Sequence, residues 1–288
     1  MRQLKVVALA FLMGVLGESC SGSEQNLKNV VYLYDDEGVN QEFLKHTRDT
    51  FDRFLHESYC LQHLSAEEVK TGAWTRDAAL FVMPGGIASR YAEKLEGEAN
   101  AQIERFVQQG GAYLGLCAGA YYASATVEFD RGGPDEIIAQ RDLRLFKGTA
   151  IGPVLKAASP ETLARPKAAL LDVYADQTMH IPFYHAQGCY FEGADGDDEV
   201  SVLGRYENGL PAIIHVVHGS GHALLSGVHF EFNPDLLETY QESFPTITCQ
   251  LRQYETARAN FVHVVLKILG LKSWRDVTSL EQNEGRKS

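Results

Sequence analysis

Ala112-Tyr-Leu-Gly-Leu-Cys-Ala-Gly-Ala-Tyr121 is the stretch on which the fold turns. A short apolar run, Ala112 to Leu116, leads into Gly115-Leu-Cys117-Ala118-Gly119, and small and aromatic residues continue to Ser124. An apolar run, a tight Gly-x-x-x-Gly turn and a second apolar run form the pattern of strand, nucleophile elbow and helix. Here Cys117 stands at the apex, where serine is usual. Gly115 and Gly119 lack a Cβ, so strand and helix can close around the turn. The helix that follows points its N-terminus at the sulfur, which favours thiolate. Taken alone, the pentapeptide is equally compatible with a buried structural cysteine.

Upstream, Ala78 to Met83 is a continuous apolar strand that ends at Pro84-Gly85-Gly86. Tyr91 to Gln109 has a helical period, with Leu95, Ile103, Phe106 and Val107 inward and Gly110-Gly111 as its stop. Asn29 to Tyr34 reads as a first buried strand, Val39 to His56 as an amphipathic helix, and Tyr59 to Leu64 as a weak strand. Ser65-Ala-Glu-Glu68 has capping-box spacing and starts a short helix. Buried strands alternating with helices predict a parallel, doubly wound α/β sheet. Ligands of such sheets bind at the carboxyl ends of the strands, so Pro84-Gly85-Gly86 and Cys117 should meet in space.

Downstream the pattern changes. Asp130 to Gln140 is polar and turn-rich. Short strands are expected near 145–151, 170–174, 179–184, 200–206, 212–218 and 222–228. Gly193-Ala-Asp-Gly-Asp-Asp-Glu199 reads as a solvated acidic turn rather than a calcium loop. A last helix is expected over 250–269, with Leu251, Tyr254, Phe261, Val265 and Leu266 as its buried stripe, and a polar tail over 273–288. One domain is therefore expected over 29–272.

Leu224-Leu-Ser-Gly-Val-His229-Phe-Glu231-Phe is the second informative stretch. An apolar strand runs out at Gly227 and delivers a histidine and a glutamate two residues apart. On an extended segment such residues lie on one side. A cysteine nucleophile needs an imidazole to take its proton, and the imidazole needs an acid to fix its tautomer. His215, His218 and His222 straddle a Gly-Ser-Gly turn with no completing acidic or sulfur ligand, so no metal is expected.

The 288 residues carry a net charge of −12, which argues against a nucleic-acid binder. Five cysteines form no CxxC pair; beyond Cys20 an even number remains, and no pairing is selected. Arg2 and Lys5 precede an apolar run from Val6 to Gly17, followed by Glu18-Ser-Cys-Ser-Gly-Ser. This is the build of a secretory signal peptide over 1–20, with 21–28 as a linker, and it predicts export to the periplasm or beyond. The run is too short to span a bilayer in a mature protein. A lipid anchor on Cys20 is poorly matched by Gly17-Glu18-Ser19, and a cytoplasmic protein with a short apolar N-terminal helix is the alternative.

With Met83-Pro-Gly-Gly86, Gly115-Leu-Cys-Ala-Gly119 and His229-Phe-Glu231 in order, the chain resembles the class I glutamine amidotransferase-like superfamily. More narrowly it resembles the N-terminal domain of eukaryotic biotin–protein ligases and its stand-alone bacterial relatives. Phe81 to Ser124, with Glu-Gly-Glu-Ala-Asn100 and LCAGAYYAS, and then Val127-Glu-Phe129 carry that closer match. The resemblance spans about Asn29 to Asn233. It implies a flavodoxin-like, mostly parallel sheet with helices on both faces, and a Cys117–His229–Glu231 triad. It also implies an oxyanion hole from the N–H groups of Gly86 and Ala118. Gly85 and Tyr121 are expected to border the substrate, with no cofactor.

Three departures qualify the resemblance. No Gly-Arg-Gly-Arg-type segment of a biotin-ligase catalytic domain is present, and no synthetase domain to receive ammonia. Tyr121 stands where the amidotransferase pattern has glutamine. The expectation is a thiol hydrolase or amidase acting on a small amide or ester, not itself a biotin ligase. The alternative is a non-catalytic ligand-binding or regulatory module on the same fold.

Overall fold

Alternation in the first strand sets up two cores. In β1 (Val30–Tyr34) every residue is buried. Val30, Tyr32 and Tyr34 pack on one side of the sheet, Val31 and Leu33 on the other. The computed structural model describes residues 28–155, 167–174, 177–236 and 245–275. The expected export signal, the linker up to Leu27 and the tail beyond Arg275 lie outside the described residues.

The main sheet has nine strands in the order β2-β1-β3-β4-β13-β12-β11-β8-β9. These are β2 (Cys60–Leu64), β3 (Ala78–Met83), β4 (Ala112–Leu116), β8 (Lys167–Tyr174), β9 (Thr178–His185), β11 (Val200–Tyr206), β12 (Pro211–His218) and β13 (Gly221–Ser226). From β2 to β13 all neighbours are parallel. Beyond β13 the pairing is antiparallel, and only β12 and β8 run against the rest. The sheet is thus mostly parallel, as predicted, with an antiparallel extension. That extension curls, because Tyr184 at the end of edge strand β9 bridges to His229 beyond β13.

Helices cover both faces. α1 (Gln41–Phe54) begins at Asn40, whose side chain accepts from the N–H groups of Glu42 and Phe43. It buries Leu44, Phe51 and Phe54 against the Val31 side, together with the C-terminal helix α7 (Glu255–Ile268). The opposite face carries α2 (Ala66–Thr71), α3 (Ala88–Leu95), α4 (Glu98–Gln108) and α5 (Ala118–Ala123). The capping box at Ser65 and Glu68 is present as predicted.

Four expectations need correction. The helix expected over 91–109 is two helices, α3 and α4. Gly97 between them has φ of 79°, a conformation that ends a helix. The last helix begins earlier, as α6 (Pro245–Gln253), and breaks at Tyr254, where neither glycine nor proline marks the break. The tail does not begin at 273: Ser273 is buried and pairs with Leu55, and Trp274 packs edge-on against His263. Tyr254, expected in the buried stripe, is exposed; the acidic turn, by contrast, is solvated as expected, with Asp195 paired to Arg205 and Glu199 to Lys147 at the surface.

A second, four-stranded sheet escaped the sequence reading. It consists of β5 (Ser124–Phe129), β6 (Ile137–Gln140), β7 (Phe146–Gly152) and β10 (Tyr190–Glu192), in the order β10-β7-β5-β6. β5 starts where the short α5 ends. Its Val127, with Phe146 and Ala150 of β7 and Phe191 of β10, packs into the same core as α5. This sheet forms one wall of the cleft described next.

Candidate active site

Three neighbouring parallel strands, β3, β4 and β13, end side by side, and each hands over to one part of the site. Met83 pairs with Gly115, and Leu116 with Ser226. Past these pairs lie Pro84-Gly85-Gly86, Cys117 and Gly227-Val228-His229. The Cys117 N–H donates to the Ser226 carbonyl at 2.8 Å, which ties the elbow to β13.

Cys117 has φ of 49° and ψ of −101°, an uncommon conformation for a residue with a side chain. The glycines that flank it explain how the turn closes. A Cβ on Gly119 would stand 2.2 Å from the Met83 carbonyl oxygen, and one on Gly115 would stand 2.7 Å from the Gly119 carbonyl oxygen. The Cys117 carbonyl accepts from the N–H groups of Ala120 and Tyr121, which starts α5. Its thiol donates to the Ala186 carbonyl at 3.4 Å. Ala186 belongs to the turn after β9, where Gln187 also has a positive φ of 59°.

His229 is fully buried, and its Nδ1 lies 2.8 Å from Glu231 Oε1. That bond makes Nδ1 the protonated nitrogen and leaves Nε2 for other work. Nε2 has no hydrogen-bond partner at ordinary geometry among the described residues, with Cys117 as its neighbour. Burial pulls the imidazole pKa down, but Glu231 and Cys117 outweigh it and hold His229 up at about 10.

The ring is wedged in place. Phe43 of α1 stacks on it, with centroids 4.2 Å apart, and a Cβ on Gly85 would sit 2.7 Å from His229 Cε1. The His229 N–H donates to the Tyr184 carbonyl. Glu231 is held from behind. Thr50 of α1 donates to its carbonyl at 2.7 Å, and Arg258 of α7 donates to the carbonyls of Phe230 and Phe232 on either side. Burial lowers the Arg258 pKa to about 10 against the opposing pull of Glu255 and Glu231. His46 and His185, both buried near His229, are pushed down to about 3 and about 4, first by burial and then by His229.

Cys117 opens onto a cleft of about 880 Å3. Gly86, Ala118 and Tyr121 line it, as do Phe43, Tyr184 and Gln187. Gly85 is not among the lining residues: it lies under His229 and Phe43, and its carbonyl accepts from Asn40 and Tyr91. Tyr121 lines the cleft with its ring, while its hydroxyl donates to the Gln187 carbonyl at 3.0 Å. Tyr122 next to it is buried against Tyr91 and Asn100. Sequence reasoning missed Phe43, Tyr184, Gln187, Thr50 and Arg258, which come from segments without a local motif.

The other candidates lie elsewhere. His215 and His222 pack with ring centroids 5.3 Å apart on β12 and β13, and burial lowers the pKa of each. Among the described residues no three His, Cys, Asp or Glu side chains gather as metal ligands. Cys60, Cys117, Cys189 and Cys249 are all free. Among the described residues no helix is long and apolar enough to cross a membrane.

Known proteins resemble this chain in sequence and in fold. The family model of the N-terminal part of biotin–protein ligase matches residues 29–285. The biotin–protein ligase of Schizosaccharomyces pombe is 30% identical over 259 residues, covering 88% of this chain but 40% of the ligase. An uncharacterized protein of Chlamydia muridarum is 30% identical over 249 residues, which is 83% of this chain and 94% of that protein. A glutamine amidotransferase crystal structure superposes with a TM-score of 0.51 at 16% identity, covering 74% of this chain and 98% of that one. At that identity the likeness concerns the fold. The chain belongs to the family of the biotin–protein ligase N-terminal domain, built on a glutamine amidotransferase-like fold.

Proposed function

We propose that the chain is a cysteine-dependent hydrolase or amidase acting on a small amide or ester. The reading is carried by one observation. A cysteine in a strained elbow conformation, open to a cleft, neighbours a fully buried imidazole whose other nitrogen is bonded to a glutamate at 2.8 Å. His229 holds its proton to high pH, so an imidazolium stands beside the sulfur, and the nucleophile we propose is the Cys117 thiolate formed next to it. The Cys117 thiolate attacks the substrate carbonyl carbon, and the oxyanion is met by the N–H groups of Gly86 and Ala118. The bond to the leaving group breaks as His229 Nε2 gives it a proton, leaving a thioester. Water then gives a proton to Nε2 and its oxygen to the acyl carbon. The thioester bond breaks, and thiolate and imidazolium return.

The test is alkylation of Cys117 by limiting iodoacetamide across pH, read by mass spectrometry. Cys117 should label before Cys60, Cys189 and Cys249, and its fast reaction should persist near pH 6. His229→Ala should slow it at least tenfold. An inert Cys117 favours the ligand-binding module instead. That module has an observation on its side, since the thiol donates to the Ala186 carbonyl rather than to the imidazole.

Biotin ligation is not the reaction we propose. The chain spans about 40% of the length of the fission-yeast ligase it matches, and the cleft supports acyl chemistry at a thiol. Transfer of labelled biotin to a carrier by the purified chain would overturn this. Export is proposed from the basic and apolar N-terminus alone. N-terminal sequencing from the native host would find a start near residue 20, and an intact terminus in the cytosolic fraction would refute it.

A further inference from the structure

The cleft holds one cation that forms no ion pair among the described residues, although Glu93, Glu96 and Asp142 share a smaller neighbouring cavity with it. The described lining of the cleft has two charged side chains, Asp135 and Arg141. Arg141 follows β6 in the second sheet and is half-buried, and its Nε is buried without a hydrogen-bond partner. Among the described residues its side chain makes one hydrogen bond, a 3.5 Å contact from Nη1 to the Gln140 carbonyl. No ion pair joins it to Asp135, to adjacent Asp142 or to any other described carboxylate. Asp135 is exposed at the cleft rim. A guanidinium withdrawn from water is normally matched by a carboxylate or a ring of carbonyls. Burial lowers its pKa, as it would for a cation waiting on a partner.

Much of the cleft wall is apolar. Val127, Phe129 and Ile137 of the second sheet line it, and the ring of Tyr121 adds to it, since its hydroxyl is already spent on Gln187. A ligand filling this cleft meets the thiol at one place, apolar surface, and a planar donor fork at another. We propose that the substrate is a small amide or ester bearing a carboxylate, which Arg141 holds while the scissile carbonyl lies at Cys117. A single guanidinium matches one carboxylate in charge and in its paired oxygens. A dianionic phosphate would be left half-neutralised in a chain of net charge −12. The proposal rests on the hydrolase reading only for where the carbonyl lies.

Two measurements separate the two ideas. The first is calorimetric binding to the full chain with Cys117→Ala, where no chemistry occurs, using hexanoate, hexanamide and butyl phosphate as probes. Hexanoate should bind about tenfold more tightly than hexanamide. Adding Arg141→Gln should erase that preference and Arg141→Lys should keep part of it. The second is kcat/KM for the 4-nitrophenyl monoester of adipic acid against 4-nitrophenyl hexanoate. The unsubstituted protein should favour the anionic ester about tenfold, through KM rather than kcat, and Arg141→Gln should remove the difference. Equal binding of hexanoate and hexanamide, or a preference unchanged by Arg141→Gln, overturns the Arg141 proposal. Butyl phosphate binding as tightly as hexanoate overturns its substrate class. Carboxylate preference in binding with no turnover of either ester sinks the hydrolase reading and leaves Arg141 standing.

Discussion

Tyr121 lines the cleft beside Cys117 with its hydroxyl already engaged. Its donor proton is committed to the Gln187 carbonyl, and its ring lies edge-on to Phe129. A glutamine amide seated with its carbonyl at Gly86 and Ala118 gains no hydrogen bond for its NH2 group from the Tyr121 donor, and a buried unpaired group costs roughly 1–3 kcal/mol. Free glutamine should therefore be a poor substrate. Ammonia release should stay below about 1 per second, the low end for ordinary enzymes. Faster release that disappears in Cys117→Ala would refute this, and a rise in Tyr121→Gln would support the pocket argument. At this scale the sequence was legible where function packs residues close along the chain: the elbow around Cys117, and His229 with Glu231 two residues on. It was silent on Arg141, Phe43 and Tyr184, because a residue that reaches the site from another element leaves no spacing to read. Gly85 was legible as special but not as to why, since a tight turn and a close approach to an imidazole ask for the same residue.

The segment 227–233 has no regular strand of its own, and its neighbours hold it. Thr50 of α1 and Arg258 of α7 bond its backbone, Phe43 stacks on its histidine, and Phe232 stacks on both Tyr184 and His46. Arg258 is a positioning residue, with its charge beside Glu231 and its donors on the carbonyls of Phe230 and Phe232. Arg258→Met should cost about 3 kcal/mol in urea unfolding, because two buried carbonyls and a carboxylate lose their partner. It should also lower kcat more than tenfold and shift the alkaline limb of the pH–rate profile, with Arg258→Lys restoring part of both. A stability loss with kcat and pH profile unmoved would reduce Arg258 to a packing residue. Elements were read well where a buried strand met a turn signal, as in Ala78–Met83 before Pro84-Gly85-Gly86. They were misread where a helical period continued across a backbone break, as at Gly97 and Tyr254. The second sheet was missed because β6 is largely exposed and β10 has three residues, too few to show a period.

Over the whole molecule the histidines divide stability between acid and alkali. His229 has its folded pKa raised from 6.5 to about 10. Its contribution is full below pH 6.5 and is lost as pH rises toward about 10. His46 and His185 have theirs lowered to about 3 and about 4, so stability falls as pH drops below 6.5 and the unfolded chain takes up protons that the folded one refuses. Each group contributes a slope of at most about 1.4 kcal/mol per pH unit. Urea midpoints across pH 4 to 10 should peak near pH 6.5. His229→Gln should flatten the alkaline side and His46→Gln the acid side; a curve indifferent to both would refute the assignment. The doubly wound half of the molecule was legible because its inner strands β1, β3, β4 and β13 are buried on both faces and bounded by turns, whereas edge strand β2 is largely exposed. The curl that brings β9 back to His229 was not, since long-range closure depends on shape rather than on local pattern. That curl, with the clamp from α7, has a consequence for biosynthesis. Cys117 leaves the ribosome ahead of α7, whose Arg258 bonds the carbonyls on either side of Glu231, so the expectation is that His229 and Glu231 are held in place only once that helix has docked. A chain interrupted before that helix is expected to carry an unreactive thiol. During refolding at pH 6, fast iodoacetamide labelling of Cys117 should appear only in the last kinetic phase; labelling that matures with the earliest phase would refute this.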